Sequence, residues 1–212
     1  MFSSAQIAKI VSRWWNLREI IGDGTPEFLL FVEGSDDEAI WKAWLTREGL
    51  GRRVRVKTGG GMGALAAAKA VKGFYRLGLS HPFPFLLVLD RVENANQRQS
   101  IEASLDSDEY HYCTEDDVTA YVLSDVEALA QALALDKKTI ERELAVHAAE
   151  PSKAKWRSLV EKAGTRSSAD LKASVAKRMP KAPTELEQAV IRPIKKQLGL
   201  DGVERFSIGG DI

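Results

Sequence analysis

Cysteine is nearly missing from this chain: Cys113 is the single one in 212 residues. A lone thiol closes no internal disulfide and builds no zinc site by itself, so a reducing cytoplasm is the expected setting. Histidine is also scarce, and His81, His111 and His147 show none of the paired spacings of a zinc enzyme. No apolar run approaches the roughly 18–20 residues that a membrane span needs, and no membrane association is expected. The opening stretch MFSSAQIAKIVSRWWNLREI lacks an uninterrupted apolar h-region and a small-residue cleavage site, so a signal peptide is not expected there. Internal repeats and low-complexity tracts are absent as well.

What is present is ordinary in amount and uneven in placement. A hydrophobic fraction of 44% suits a folded globular chain. The formal net charge is zero, yet residues 1–135 carry 14 Lys/Arg against 19 Asp/Glu, and residues 136–212 carry 16 against 11. The sharpest basic patch is 151–181, with Lys153, Lys155, Arg157, Lys162 and Lys172 among nine basic residues against Glu161 and Asp170. An acidic front beside a basic back suits a metal site next to a phosphate-binding surface; a solvated helical face is the plainer alternative.

The hydrophobic pattern divides the chain in three. Residues 1–27 contain helical apolar spacing (Ile7, Ile10, Val11, Trp14, Leu17, Ile20, Ile21), which predicts an N-terminal helix. Residues 28–123 alternate strand and helix. Phe28-Leu29-Leu30-Phe31-Val32 is a continuous apolar run of the kind a central strand shows, and 53–57, 83–89 and 110–113 read as further strands. Residues 124–212 read as a helical, basic extension with helices near 125–135, 137–148, 153–163, 168–178 and 184–198. The β-then-α order predicts an α/β core with a mostly parallel sheet and helices on both faces.

In open α/β sheets, chemistry collects just beyond the carboxyl ends of the strands. Carboxylates stand at three such ends. Glu33 follows the first strand, with Asp37 four residues on. Asp90 ends the 83–89 run with Glu93 nearby, and Glu115, Asp116 and Asp117 follow the 110–113 run. Acids at strand–helix junctions are often only helix caps, and Asp36 in particular reads that way. Converging carboxylates also suit a hard divalent cation such as Mg²⁺ or Mn²⁺. The turn Gly59-Gly60-Gly61-Met62-Gly63 is either a phosphate-cradling loop at a helix start or a point of close strand-to-helix packing. It lacks the Lys-Ser/Thr pair of a P-loop. The tryptophans Trp14, Trp15, Trp41, Trp44 and Trp156 read as core or interface residues.

Val32-Glu33-Gly34-Ser35-Asp36-Asp37-Glu38 resembles the Toprim signature, in which a strand ends in Glu-Gly and an acid follows within a turn. Thr58-Gly59-Gly60-Gly61 resembles the glycine turn after the second Toprim strand, and Leu87-Val88-Leu89-Asp90-Arg91 the later strand that ends in Asp-x-Asp. Glu115 through Tyr121-Val122-Leu123 is similar to the acidic–apolar motif of OLD-family (overcoming lysogenization defect) Toprim nucleases. The resemblance spans about 95 of 212 residues. It implies catalytic roles for Glu33, Asp37 and Asp90, and metal ligation by these with Glu93 and Asp117. It also implies a catalytic lysine from beyond the core, with Lys153, Lys155, Lys162 and Lys172 as candidates. Val92 stands where the family has its second aspartate, and Thr119-Ala120-Tyr121 lacks the acid many members carry.

The expected function is a Mg²⁺- or Mn²⁺-dependent nuclease acting on DNA or RNA, with the 151–181 segment holding the strand. The resemblance further implies an effector in anti-phage defence, controlled by a separate ABC-type ATPase; a homo-oligomer is a second expected assembly. The alternative is a degenerate Toprim module that binds nucleic acid or a partner ATPase without cutting.

Overall fold

The computed structural model describes residues 26–59, 62–75, 84–91, 95–165 and 168–200. The helix expected within 1–27 lies outside them, apart from the last two residues of that span. Four strands form the sheet: β1 (Phe28–Val32), β2 (Val54–Thr58), β3 (Phe85–Leu89) and β4 (Tyr110–Tyr112). Their order is β2-β1-β3-β4, and every pairing is parallel. Between them run α1 (Ser35–Arg47), α2 (Met62–Tyr75) and α3 (Ala95–Glu102). After β4 the described chain is helical: α4 (Val118–Leu123), α5 (Val126–Leu133), α6 (Lys137–Val146), α7 (Ser152–Lys162) and α8 (Ala169–Arg178). A last helix opens as α9 (Thr184–Leu186), passes through a π-helical turn (Glu187–Ile191) and ends as α10 (Arg192–Gln197).

The period of two in a strand sends alternate residues of β1 to opposite faces of the sheet. Leu29 and Phe31 join Leu87 and Leu89 of β3 under α2 and α3, through Leu65, Ala68, Val71 and Ile101. Phe28, Leu30 and Val32 join Val54, Val56, Leu86 and Val88 in a larger core with Trp41 and Trp44 of α1. That second core continues without a break into the extension through Leu129, Trp156, Val175 and Ile191. Both faces of β1 are therefore covered, which is why its apolar run is continuous rather than alternating. Helix α3 was not expected from the pattern: ANQRQSIE is polar, and among its described side chains Ile101 is the one buried in the core.

Polar ties fasten the extension to the core. Arg47 donates to the Met179 carbonyl at 2.6 Å, Arg53 to the Leu198 carbonyl at 3.2 Å, and Lys195 pairs with Glu48 at 2.8 Å. The glycine turn after β2 is explained by packing. A Cβ on Gly59 would lie 2.2 Å from the Ala64 nitrogen, so the strand exit and the start of α2 touch backbone to backbone.

Candidate functional site

All strands being parallel, their carboxyl ends share one rim. From β1 the chain passes to β2 on one side, while β3 and β4 lie on the other, so the crevice between β1 and β3 is a topological switch point. Glu33 stands at the end of β1 and Asp90 at the end of β3, on the two sides of that crevice. Asp37 comes from the first turn of α1, and Asp117 from the turn between β4 and α4.

Two of these carboxylates respond to the charges around them. Asp90 is pushed up to about 7 from 3.8, first by burial, then by the charges of Asp37, Glu33 and Asp117, with Lys153 opposing. Asp37 is pushed up to about 6, chiefly by burial and by Asp117, against the Gly34 amide, Lys153 and Lys172. A cation answers them from the extension. Lys153, on the first turn of α7, brings Nζ within 3.6 Å of Asp117 Oδ2. Burial lowers its pKa, but Asp117, Asp90 and Asp37 outweigh burial and hold the ammonium charged. Helix α7 buries Ser152, Trp156, Leu159 and Val160 on one stripe, and Lys153 sits beside that stripe at the rim.

The donor set is four hard oxygen groups, suited to a divalent cation. Among the described residues, however, no three His, Cys, Asp or Glu side chains stand at metal-holding spacing. The mutual charge effects and that spacing therefore differ. The strand ends place the acids on one rim, and two of them already serve as backbone acceptors. Asp37 Oδ2 accepts the Gly34 amide at 2.8 Å, closing the start of α1. Asp117 Oδ1 accepts the Ala120 amide at 3.2 Å as the N-cap of α4. A carboxylate has a second oxygen: Asp37 would offer a metal its Oδ1, whereas Asp117 Oδ2 faces the Lys153 ammonium. Glu93 lies outside the described residues.

Two expectations need correction. Lys172 does not lie on a strand-holding surface: it is 3% exposed, with Nζ 2.8 Å from Asp36 Oδ2 and 3.0 Å from Thr119 Oγ1 and over the Trp156 ring. An ammonium in an apolar core needs a counter-charge and acceptors, and these three groups supply them. Asp36 is thus an ion-pair partner and not a cap, and Thr119 is an acceptor for a lysine. The other basic residues of that segment differ in exposure. Lys153 turns to the carboxylates, Lys155 is half-buried, and Arg157 and Lys162 are exposed.

The sequence reading missed Glu185. From α9 its carboxylate accepts the Tyr121 hydroxyl at 2.6 Å, the Thr114 amide at 3.1 Å and the Thr114 hydroxyl, and it pairs with His111 Nε2 at 3.0 Å. Burial raises its pKa, yet the Thr114 and Tyr121 bonds win and hold it below the ordinary range. Glu185 therefore ties the turn that carries Asp117 to the extension. Only Tyr121, a lone aromatic beside an acidic turn, hinted at such a partner. Cys113, buried next to this cluster, has its thiol pushed well up by burial and by the Asp90 charge.

Among solved structures, the C-terminal region of the Burkholderia pseudomallei OLD protein is similar at 13% identity and a TM-score of 0.49, over 82% of this chain and 100% of that one. The C-terminal region of the Xanthomonas campestris pv. campestris OLD protein, phased with mercury, is similar at 15% identity and a TM-score of 0.49, over 82% and 97%. The chain's structural neighbours are OLD C-terminal regions. No family model matches the chain, and no curated protein does. Among the described residues, no helix is long and apolar enough to cross a membrane.

Proposed function

We propose that this chain is a divalent-metal-dependent nuclease of Toprim type, hydrolysing phosphodiester bonds of DNA or RNA at the β1–β3 crevice. The observation that carries the reading is the gathering of Asp37, Asp90 and Asp117 at the Lys153 ammonium, 3.6 Å from Asp117, with Glu33 at the end of the strand beside Asp90. Structural ion-pair networks also shift pKa values, but this one sits at the switch point of the sheet. The Glu-Gly and Leu-Asp strand ends that resemble Toprim motifs support the same reading.

Bound Mg²⁺ or Mn²⁺ would activate water and steady the leaving oxygen. Asp37, Asp90 and Asp117 are the residues that would hold it, with Glu33 and Glu93. Glu33, the Toprim-like acid, takes the proton from the attacking water. Lys153 faces the carboxylates, and its fixed charge stabilises the anionic charge that develops on the phosphate. By the same resemblance, ATP-driven control belongs to a separate ABC-type ATPase, and the setting is cytoplasmic defence against phage.

The rival reading, a binding module without cutting, draws on the use of Asp37 and Asp117 as helix caps. A cleavage panel with Mg²⁺ and Mn²⁺ separates the two. Glu33→Ala is expected to remove metal-dependent cleavage with the fold intact by circular dichroism. Undiminished cleavage by that variant defeats the nuclease reading, and a wild-type chain that takes up no Mn²⁺ is the module.

A further inference from the structure

The turn between α6 and α7 carries a cluster that the rim does not use. His147 closes the C-terminal end of α6, donating its amide to the Glu143 carbonyl at 3.2 Å. Its ring faces acceptors on both sides. Nδ1 lies 2.9 Å from Glu150 Oε1. Nε2 lies 3.0 Å from Ser158 Oγ and 3.3 Å from Glu143 Oε1. The Ser158 hydroxyl donates its one proton to Glu143, so its oxygen is left to accept from the ring. A neutral imidazole carries one N–H and one bare nitrogen. Either tautomer would set that bare nitrogen against an oxygen with no proton to give. The imidazolium donates at both positions.

Charge agrees with that geometry. The Glu150 bond first, then the Glu150 charge and Glu143, outweigh burial and hold the ring above the ordinary 6.5 of a histidine. A helix C-terminus favours a cation, which acts in the same sense. Lys162 of α7 acts on Glu143 and is the like charge that opposes it.

What the cluster fastens is the entry of α7. Helices α4, α5, α6 and α8 each begin at an Asp or Ser side chain that accepts an amide of the first turn: Asp117, Asp125, Asp136 and Ser168. Helix α7 begins at Pro151, which has no side-chain cap. Glu150 immediately precedes Pro151, and Ser158 lies further along the same helix. The ring therefore ties both the approach to α7 and its body to the end of α6. Lys153 is mounted on the first turn after that approach.

We propose that the His147 imidazolium clamps the α6–α7 turn, and that loss of its proton releases Glu150 and loosens the entry on which Lys153 is mounted. The inference goes beyond the nuclease reading and does not depend on cleavage. A histidine raised in the folded chain contributes its stability in full below the unfolded value and loses it as pH rises through the folded one. The clamp is therefore closed below 6.5 and opens as pH passes the raised value of the ring.

The test is a proton NMR titration of the histidine rings in the full chain, joined to rapid-mixing hydrogen exchange over residues 148–153. His147→Gln removes one ring signal and so assigns it. The wild-type midpoint is expected above 6.5. Glu150→Gln is expected to lower it by roughly 0.5, the scale of one exposed ion pair. Glu143→Gln, on the other side of the ring, lowers it by less and serves if the first variant does not fold. At about pH 6, where the ring is charged, the turn in Glu150→Gln is expected to exchange roughly threefold faster than in wild type, the ratio one exposed pair supports. At about pH 8 that ratio is expected to shrink towards one, because the wild-type ring has by then lost most of its charge. A ring midpoint at or below 6.5 overturns the clamp, and so does a Glu150→Gln turn that exchanges like wild type at the lower pH. Neither readout involves cleavage, so failure of the clamp and failure of the nuclease reading are told apart.

Discussion

Two lysines from the same basic segment end in opposite situations. Lys153 is 71% exposed at its side chain and stands at the carboxylate rim, whereas Lys172 is 3% exposed and closed in by Asp36, Thr119 and Trp156. Both answer acids from the front half of the chain. The difference between them separates chemistry from architecture. An exposed ammonium facing several carboxylates can meet a phosphate; a buried one with a full set of partners can only hold helices together.

Substitution of each lysine sharpens that contrast. Lys153→Ala is expected to lower Mn²⁺-dependent cleavage by about 10²–10³-fold, the loss seen when a fixed charge-stabilising group is removed, while Tm hardly moves because an exposed ion pair contributes little. Lys172→Ala is expected to do the reverse. It loses stem packing and leaves Thr119 without its donor, at a cost of about 2 kcal/mol, lowering Tm by several degrees while cleavage by the folded fraction stays near wild type. Cleavage and thermal melts on both variants decide it. Equal effects of the two on rate would erase the distinction.

Much of this fold was legible because burial leaves local marks. The continuous apolar run 28–32 signalled a strand covered on both faces, and Val54 and Val56 alternating with Arg55 and Lys57 signalled a strand with one polar side. Helix α3 was not legible, since its sequence is polar and its buried Ile101 has no periodic apolar companion. At the site, the strand-end acids Glu33 and Asp90 could be found from topology alone. The separation of Lys153 from Lys172 could not. Both lie on amphipathic helices in a basic stretch, and the choice depends on which face meets α1 and α4, a long-range packing outcome. Glu185 was hidden for the same reason: its partners lie 64 to 74 residues away in sequence.

The raised carboxyls give the rim its own pH dependence. Asp90 near 7 and Asp37 near 6 lie above the 3.8 of an unperturbed carboxyl. The folded chain thus holds protons that the unfolded chain releases between about pH 4 and 7, and the stability these groups contribute falls as pH rises through that window. Asp90→Asn removes the more strongly raised of the two carboxyls. Without metal it is expected to melt higher than wild type at pH 8, with the difference closing towards pH 5, while losing cleavage, an exchange of stability for function common at active sites. Melts of both proteins in EDTA across this range are the check, and a variant less stable than wild type at pH 8 would remove the strain attributed to Asp90. In the wild type, the Mn²⁺ concentration for half-maximal cleavage is expected to rise below about pH 7, as the proton competes with the metal for Asp90.

The smallest effect is expected at Glu185, where the extension acts on the rim without reaching it. Its carboxylate holds Thr114 and Tyr121, and through them the turn that ends in Asp117. Glu185→Gln keeps the shape and an acceptor oxygen but replaces charge-assisted bonds with weaker neutral ones. Positioning partners of this kind typically change metal affinity by about tenfold or more when removed outright, so the isosteric change should raise the Mn²⁺ concentration for half-maximal cleavage by less than that. The maximal rate should hold, because no group at the crevice has been altered. Tyr121→Phe, which deletes one of the same bonds, should shift the Mn²⁺ requirement in the same direction. A purely structural role would instead lower Tm and leave the Mn²⁺ requirement of the folded protein unchanged, in which case the extension contributes Lys153 to the site and nothing more.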